Sequence, residues 1–596
     1  MGDVQSARVK WIARTAVALI ALQLVLRAVL AFGGYFYWDD LILIGRAGTH
    51  SLLSPSFLFD DHDGHVMPGA FFLAGAISKV APFNWIGPAI SLVALQLVAS
   101  LALLRALHVI LGWRPVLLLP LTFALFSPLA LPAFAWWAAA LNALPMIAAM
   151  AWVCADAILL VRTGNQRYAV SAVAVYFLGL LFFEKGAVIP LVAFVVTTLL
   201  VHVTGDGSAL RTVWRRGLRL WLASMAVTAA WIAVYLVVVD QRRWTLDVGM
   251  TLELLGRSFA LGIVPGLVGG PWDWDRWAPS SPWATPPLVV MILGWVVLAV
   301  VVWVSMVRKE RIGAVWLVAV GYAVACQVPI YLMRSSRFTA LELAQTLRYL
   351  PDLVVVLALL AAVGLCAPNK VRSEWLDASR RRSVVVVSCS VLYVASCLYS
   401  TTTFLTIWRD NPTRSYLHNA QAGLAQANAS STAPMLDQEV DPHILQRVAW
   451  PENLVSHVFS LVRDRPEFGL STTDLRVLDR SGRLVDAQVT WVRYTLPGPT
   501  PKCGYLVQPD APIRMPLSGP MLPTEWTAEI NYLANSDGSM TLSLSDGAES
   551  RVPVRPGLNR VFVRLSGAGD AILVRANTSA LSVCLASGPV GYVAPP

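Results

Sequence analysis

Charge is what this 596-residue chain has least of: Asp, Glu, Lys and Arg make up 14% of it, against 56% hydrophobic residues. Average soluble domains carry about 25% charged residues, so a soluble globular reading is excluded. Cysteine is also sparse, with seven residues and no Cys-x-x-Cys pair, which argues against a thiolate zinc site. Cys154, Cys326, Cys366, Cys389 and Cys397 lie in or beside apolar runs and read as inert thiols. No glycine-rich phosphate loop and no Ser-His-Asp set at a known spacing occurs, which disfavours a nucleotide-driven enzyme. Internal repeats and long low-complexity tracts are absent too.

What is abundant is the apolar run. The mean hydropathy is +0.60, and the runs are near 20 residues long, the length of a helix that crosses a bilayer. Spans are expected near 12–33, 85–105, 115–131, 141–161, 168–183, 187–203, 218–239, 286–307, 312–333, 351–367 and 383–404, about eleven in all. The segment 66–83 reads as an interfacial helix or a short span. The first run follows Arg8, Lys10 and Arg14. It lacks a small-residue cleavage site and reads as a retained span.

The basic residues test this layout. Arg105 and Arg114, Arg162 and Arg167, Arg211 to Arg219, Arg308 to Arg311, and Lys370 to Arg382 fall in alternate loops, on the side of the N-terminus. The positive-inside rule then puts the N-terminus in the cytoplasm and the C-terminal part outside. The net charge of +10 is explained by these loops, and nucleic acid is not expected as a partner.

Composition divides the chain near 405. Residues 1–405 form the transmembrane domain and 406–596 an extracytoplasmic domain. The latter reads as helix and loop over 413–465, then as short alternating β-runs at 488–492, 526–532, 540–544, 560–565 and 571–574. That pattern predicts a β-sandwich or jelly roll. Its role is glycan binding or, equally, that of a lid or docking domain. Cys503 and Cys584 lie in this part and are a disulfide candidate if it faces an oxidising compartment. A Trp-rich outside loop spans about 240–285, with Trp272, Trp274, Trp277 and Trp283. Its indoles suit the headgroup layer, a sugar-stacking surface or a gate over a lipid groove.

The chemistry gathers in the first outside loop, about 34–84. Trp38-Asp39-Asp40 stands just after the first span, and Asp60-Asp61-His62-Asp63-Gly64-His65 follows. Carboxylates at the lip of a membrane are costly unless functional. One of them suits a general base that takes a proton from an attacking hydroxyl. A phosphate leaving group needs guanidinium forks, and Arg334, Arg337 and Arg348, with Tyr349, lie on the same side. Lys185 is a further phosphate candidate, and Arg27 lies in the outer half of the first span. Asp61, Asp63, His65 and Glu184 are acceptor or ion candidates, leaving room for a divalent cation without fixing one. Plain alternatives stand beside these: Asp39 and Asp40 as helix caps, the Asp/His cluster as a solvated turn, the arginines as headgroup anchors.

Trp38-Asp39-Asp40, Asp63-Gly64-His65-Val66-Met67-Pro68, Glu184-Lys185 and Arg348-Tyr349 together resemble the pattern of GT-C membrane glycosyltransferases of the actinobacterial type. The resemblance covers roughly residues 10–405. It implies a polyprenyl-phosphate sugar as donor and transfer, with inversion, to an acceptor outside the cytoplasmic membrane. It implies a base at Asp39 or Asp40. No acceptor motif matches, so sugar and acceptor stay open.

The expectation is therefore a multi-pass enzyme of the cytoplasmic membrane that moves a sugar onto a cell-envelope glycan, lipid or protein. Asp39 is the expected base, with Asp40 orienting acceptor or ion. The rival readings are a lipid-linked sugar transporter or flippase, and a non-catalytic envelope-assembly protein. Against the transporter, the charge gathers at the outer rim instead of the membrane midplane.

Overall fold

The computed structural model describes residues 2–205, 208–239, 247–277, 279–334, 339–370, 379–509 and 512–596. Two compact units divide it, one ending at Asn411 and the other running Pro412–Pro596.

The first unit is helical. Nine helices among the described residues are long and apolar enough to cross a membrane, ten if the bent pair Pro115–Phe126 and Pro128–Ala135 forms one span. Every span expected from the sequence falls on an apolar helix, two of them on short ones, Arg167–Leu180 and Pro351–Cys366. The helix Pro68–Val80 has 13 residues, about 20 Å, too short to cross a hydrocarbon core of about 30 Å by itself.

The helix Trp137–Thr163 is the centre of this unit. Its apolar residues continue all round, so it is buried on nearly every side. Ile86–Leu111, Arg167–Leu180 and Ile189–Thr204 pack against it. Pro351–Cys366 is buried over most of its length, with Pro351 at the first helical position, where its missing N–H leaves no bond unmade.

The segment expected as a loop over about 240–285 contains one more helix. Val248–Arg257 continues through a π-helical turn, Ser258–Ile263, into Val264–Gly266. Glu253 and Arg257 lower its hydropathy below that of the other long apolar helices, which hid it, and it adds a helix without changing the side on which the chain emerges. Beyond it, the indoles act as anchors: Trp272 Nε1 donates to Ser396 Oγ at 2.6 Å, and Trp274 Nε1 to the Ser400 carbonyl at 3.0 Å. Trp277 alone of the four is exposed, its ring tilted at 54° against Trp283 with centroids 4.3 Å apart.

The second unit opens with the helix Thr413–Ser430 and is then β-rich. Among the described residues, nine strands form one sheet: β1 (Ser471–Thr472), β2 (Gln488–Tyr494), β3 (Tyr505–Val507), β4 (Ile513–Ala534), β5 (Gly538–Gly547), β6 (Ser550–Val554), β7 (Gly557–Ala576), β8 (Val583–Leu585) and β9 (Pro589–Ala594). The order is β6-β5-β7-β4-β8-β3, with β9 joining β4 to β2 and β1 on β7. Side chains from most of these strands, among them Val507, Met540, Val563 and Val590, meet in one apolar core.

Two runs expected as separate strands, 560–565 and 571–574, are halves of β7. Gly567 and Gly569 sit at φ +126° and +127°, where only glycine is at ease, so the chain bends there without leaving the sheet. Cys503 and Cys584 are joined in a disulfide that ties the turn before β3 to β8.

Candidate active site

Helix spacing shapes an apolar groove. Leu191, Val192, Val195 and Val196 lie on one face of Ile189–Thr204, and Leu317, Val318 and Gly321 on one face of Ile312–Ala325. These faces line a cavity of about 710 Å³. Its polar end is formed by Asp63, His65, Glu184, Lys185, Arg334 and Tyr349. A cavity apolar along its length and charged at one end fits an amphiphile with an anionic head.

The first loop reaches that end through a tight turn. His62 and His65 exchange backbone hydrogen bonds of 3.1 and 2.9 Å around Asp63 (φ +52°) and Gly64 (φ +85°). Asp-Gly is the pair that such a turn selects, since both central residues need positive φ. Asp61 Oδ1 accepts the Gly64 N–H at 2.7 Å, and Tyr235 donates its hydroxyl to the Gly64 carbonyl at 2.9 Å. His65 Nδ1 lies 2.7 Å from Glu184 Oε1. Burial works against a charged His65, but Glu184 overcomes it and holds the imidazole above its usual pKa.

Opposite lies the Arg-Tyr segment. Arg348 Nη2 donates to the Tyr349 hydroxyl at 2.6 Å and its guanidinium stacks over the Trp136 ring at 5.0 Å. Arg334 also stands over the Tyr349 ring, at 5.9 Å. Burial opposes a phenolate, yet Arg334 and Arg348 together draw Tyr349 below its usual pKa. Arg348 Nε has no hydrogen-bond partner among the described residues. Lys185 Nζ donates to the Tyr349 carbonyl at 3.0 Å and to Asp352 Oδ1 at 2.9 Å, and Tyr322 donates to Asp352 Oδ2 at 2.7 Å.

Asp39 stands beside this polar end. Its side chain is 23% exposed, with His62 Nε2 at 3.8 Å. Burial raises its pKa to about 6; Arg348 opposes the rise, Asp63 adds to it, and Arg334 and His65 oppose it. A carboxylate with a midpoint near neutrality is matched to general-base work.

Asp40 departs from its expected place. It is fully buried, with Oδ2 accepting the Tyr37 N–H at 2.9 Å and Oδ1 the Ala138 N–H at 2.8 Å, at the start of Trp137–Thr163. It therefore touches backbone and not the cavity, and an acceptor or ion has no access to it. Burial holds its pKa well above the usual carboxylate range.

Of the other candidates, Arg337 lies outside the described residues. Asp61 serves the Gly64 turn and Asp60 pairs with Arg46 at 2.8 Å. Arg27 does not join the site: it lies over Phe134 at 4.8 Å and lines a small cavity with Gln23, Gln96 and Ser100. Among the described residues no three His, Cys, Asp or Glu side chains are grouped as metal ligands. Sequence reasoning missed Asp352 and Tyr322. The available signal was a lone acid one residue into an apolar run, since an ionisable residue in a span is a functional candidate.

Comparison with known proteins gives structural matches only. No family model and no curated protein matches the chain. ArnT from Cupriavidus metallidurans bound to undecaprenyl phosphate is 14% identical over 76% of this chain and 85% of its own, with a TM-score of 0.45. The arabinofuranosyltransferase AftD from Mycobacteria is 12% identical over 97% of this chain and 59% of its own, at 0.38. The Archaeoglobus fulgidus oligosaccharyltransferase is 12% identical over 69% of this chain and 55% of its own, at 0.34. The likeness is one of fold, at low identity.

Proposed function

We propose that this chain transfers a sugar from a polyprenyl-phosphate donor to a hydroxyl of a cell-envelope acceptor, at the outer face of the cytoplasmic membrane. The observation that carries the reading is the amphiphilic cavity: an apolar groove ending at Lys185, Arg334 and Tyr349, with Asp39 and Arg348 beside that end. The prenyl chain lies along Val192, Val196 and Leu317. The phosphate takes Arg334 and Arg348, whose forks match its oxygens, and the remaining N–H of Lys185. Bound undecaprenyl phosphate and dolichol phosphate in ArnT and in the archaeal AglB fit the same reading.

The chemistry follows from that placement. The acceptor oxygen attacks the anomeric carbon from the face opposite the phosphate, and its proton passes to an Asp39 oxygen. The bond from that carbon to the phosphate oxygen breaks, and the electron pair leaves on polyprenyl phosphate, which the arginines stabilise. Configuration inverts. The N-terminus is cytoplasmic and the β-rich unit extracytoplasmic, where a disulfide persists and glycan is at hand.

The test is to reconstitute the full chain in liposomes with a panel of polyprenyl-phosphate-linked sugars and envelope extract. One donor is expected to yield polyprenyl phosphate and glycosylated product in equal amounts. Passage of the intact lipid across the bilayer, without cleavage of any donor, supports the flippase reading instead.

A further inference from the structure

Asp39 sits in a turn that its sequence does not favour. The Asp40 N–H donates to the Tyr37 carbonyl at 3.0 Å, closing a four-residue turn over Trp38 and Asp39. Trp38 has φ +45° and ψ −106°. That is close to the second position of a type II′ turn, where glycine is the usual residue. A bulky side chain held there marks strain that the surroundings must impose.

Asp40 is placed to impose it. Its two oxygens bind two backbone N–H groups, one at the start of the turn (Tyr37) and one at the start of the central helix (Ala138). Tyr37 is held on its other side too, donating its hydroxyl to the Pro279 carbonyl at 2.6 Å. We propose that Asp40 is a positioning residue: its carboxyl staples the strained Trp38 turn to the central helix and so presents Asp39 to the polar end of the cavity. This rests on reading Asp39 as the base, and it replaces direct contact between Asp40 and substrate. Asn cannot do the same work, because its amide nitrogen has no lone pair for the second backbone N–H, whereas either carboxyl oxygen keeps one.

The tests use the full-length protein in detergent. Infrared difference titration follows the carboxyl band that Asp39→Asn abolishes. The groups facing Asp39 are Arg348, Arg334, Asp63, His65 and His62, together with Asp40. In the native chain the Asp39 midpoint is about 6. In Asp40→Asn the turn relaxes, Asp39 gains solvent, and its proton affinity falls roughly tenfold. With the donor that the panel identifies, kcat falls at least about tenfold while the donor KM stays within about twofold, because the phosphate seat is elsewhere.

Trp38 supplies a second arm should Asp40→Asn fail to fold. Trp38→Gly keeps a residue at ease with positive φ, whereas Trp38→Ala removes the packing and keeps the strain. Trp38→Gly is expected to exceed Trp38→Ala in kcat and to hold the Asp39 midpoint nearer the native one, the reverse of what lost packing alone gives. An unmoved Asp39 midpoint in Asp40→Asn, or Trp38→Ala matching or exceeding Trp38→Gly, overturns the proposal. Unimpaired turnover by Asp39→Asn would instead overturn the functional reading, and the infrared arm decides the positioning role even if no donor is turned over.

Discussion

Glu184 and Lys185 are neighbours in the chain and fasten opposite halves of the site. Glu184 holds His65 of the first loop at 2.7 Å, and Lys185 holds Asp352 at 2.9 Å and the Tyr349 carbonyl at 3.0 Å. The dipeptide is thus a clamp between the segment that carries the turn at Asp63-Gly64 and the segment that carries Arg348.

Cutting the Lys185 arm leaves a carboxylate buried without its countercharge. Lys185→Met is expected to destabilise the protein by about 3–5 kcal/mol, since removing one partner of a buried pair is worse than removing both. Lys185→Met with Asp352→Leu recovers most of that loss. Thermal unfolding in detergent compares the two.

The His65 arm is electrostatic. Burial alone disfavours the imidazolium, and the Glu184 carboxylate outweighs it. Glu184→Gln takes away the largest raising influence and leaves burial and Arg334 against Asp39 alone, so the His65 midpoint falls. Histidine NMR titration of the two proteins measures the sign directly.

Geometry separates the role of Arg348 from a simple charge effect. Arg348 uses one arm on Tyr349 and leaves Nε without a partner among the described residues. Arg348→Lys keeps the charge and loses the fork. The donor KM is expected to rise roughly tenfold to a hundredfold, the worth of one charge-assisted hydrogen bond. Steady-state kinetics with the panel donor checks it.

The pH profile follows from Asp39. Burial lifts its pKa to about 6, and the base form is the deprotonated one. Activity therefore falls roughly tenfold for each pH unit below that midpoint and is flat just above it. A profile that is flat through this range contradicts the assignment.

Much of this was legible in the residues. The spans were, because a bilayer demands a continuous apolar run whatever the tertiary packing. The helix through Val248 was not, because Glu253 and Arg257 interrupt its apolar run and hydropathy reads composition, not contacts. The convergence of Asp39, His65, Glu184 and Arg348 was legible as residue types suited to one chemistry. The different surroundings of Asp39 and Asp40 were not: adjacent identical side chains differ only by which groups the fold brings to them. Asp352 and Tyr322 were hidden because each is a single polar residue in an apolar helix, and their pairing with Lys185 is a tertiary contact.

The most direct measurement is transfer and donor binding by Asp39→Asn in one sample, set against the native chain. Asp39 as the base predicts donor affinity within about twofold and transfer reduced by at least about a hundredfold, the loss typical of a missing general base. A folded Asp39→Asn protein that transfers sugar at the native rate would contradict it.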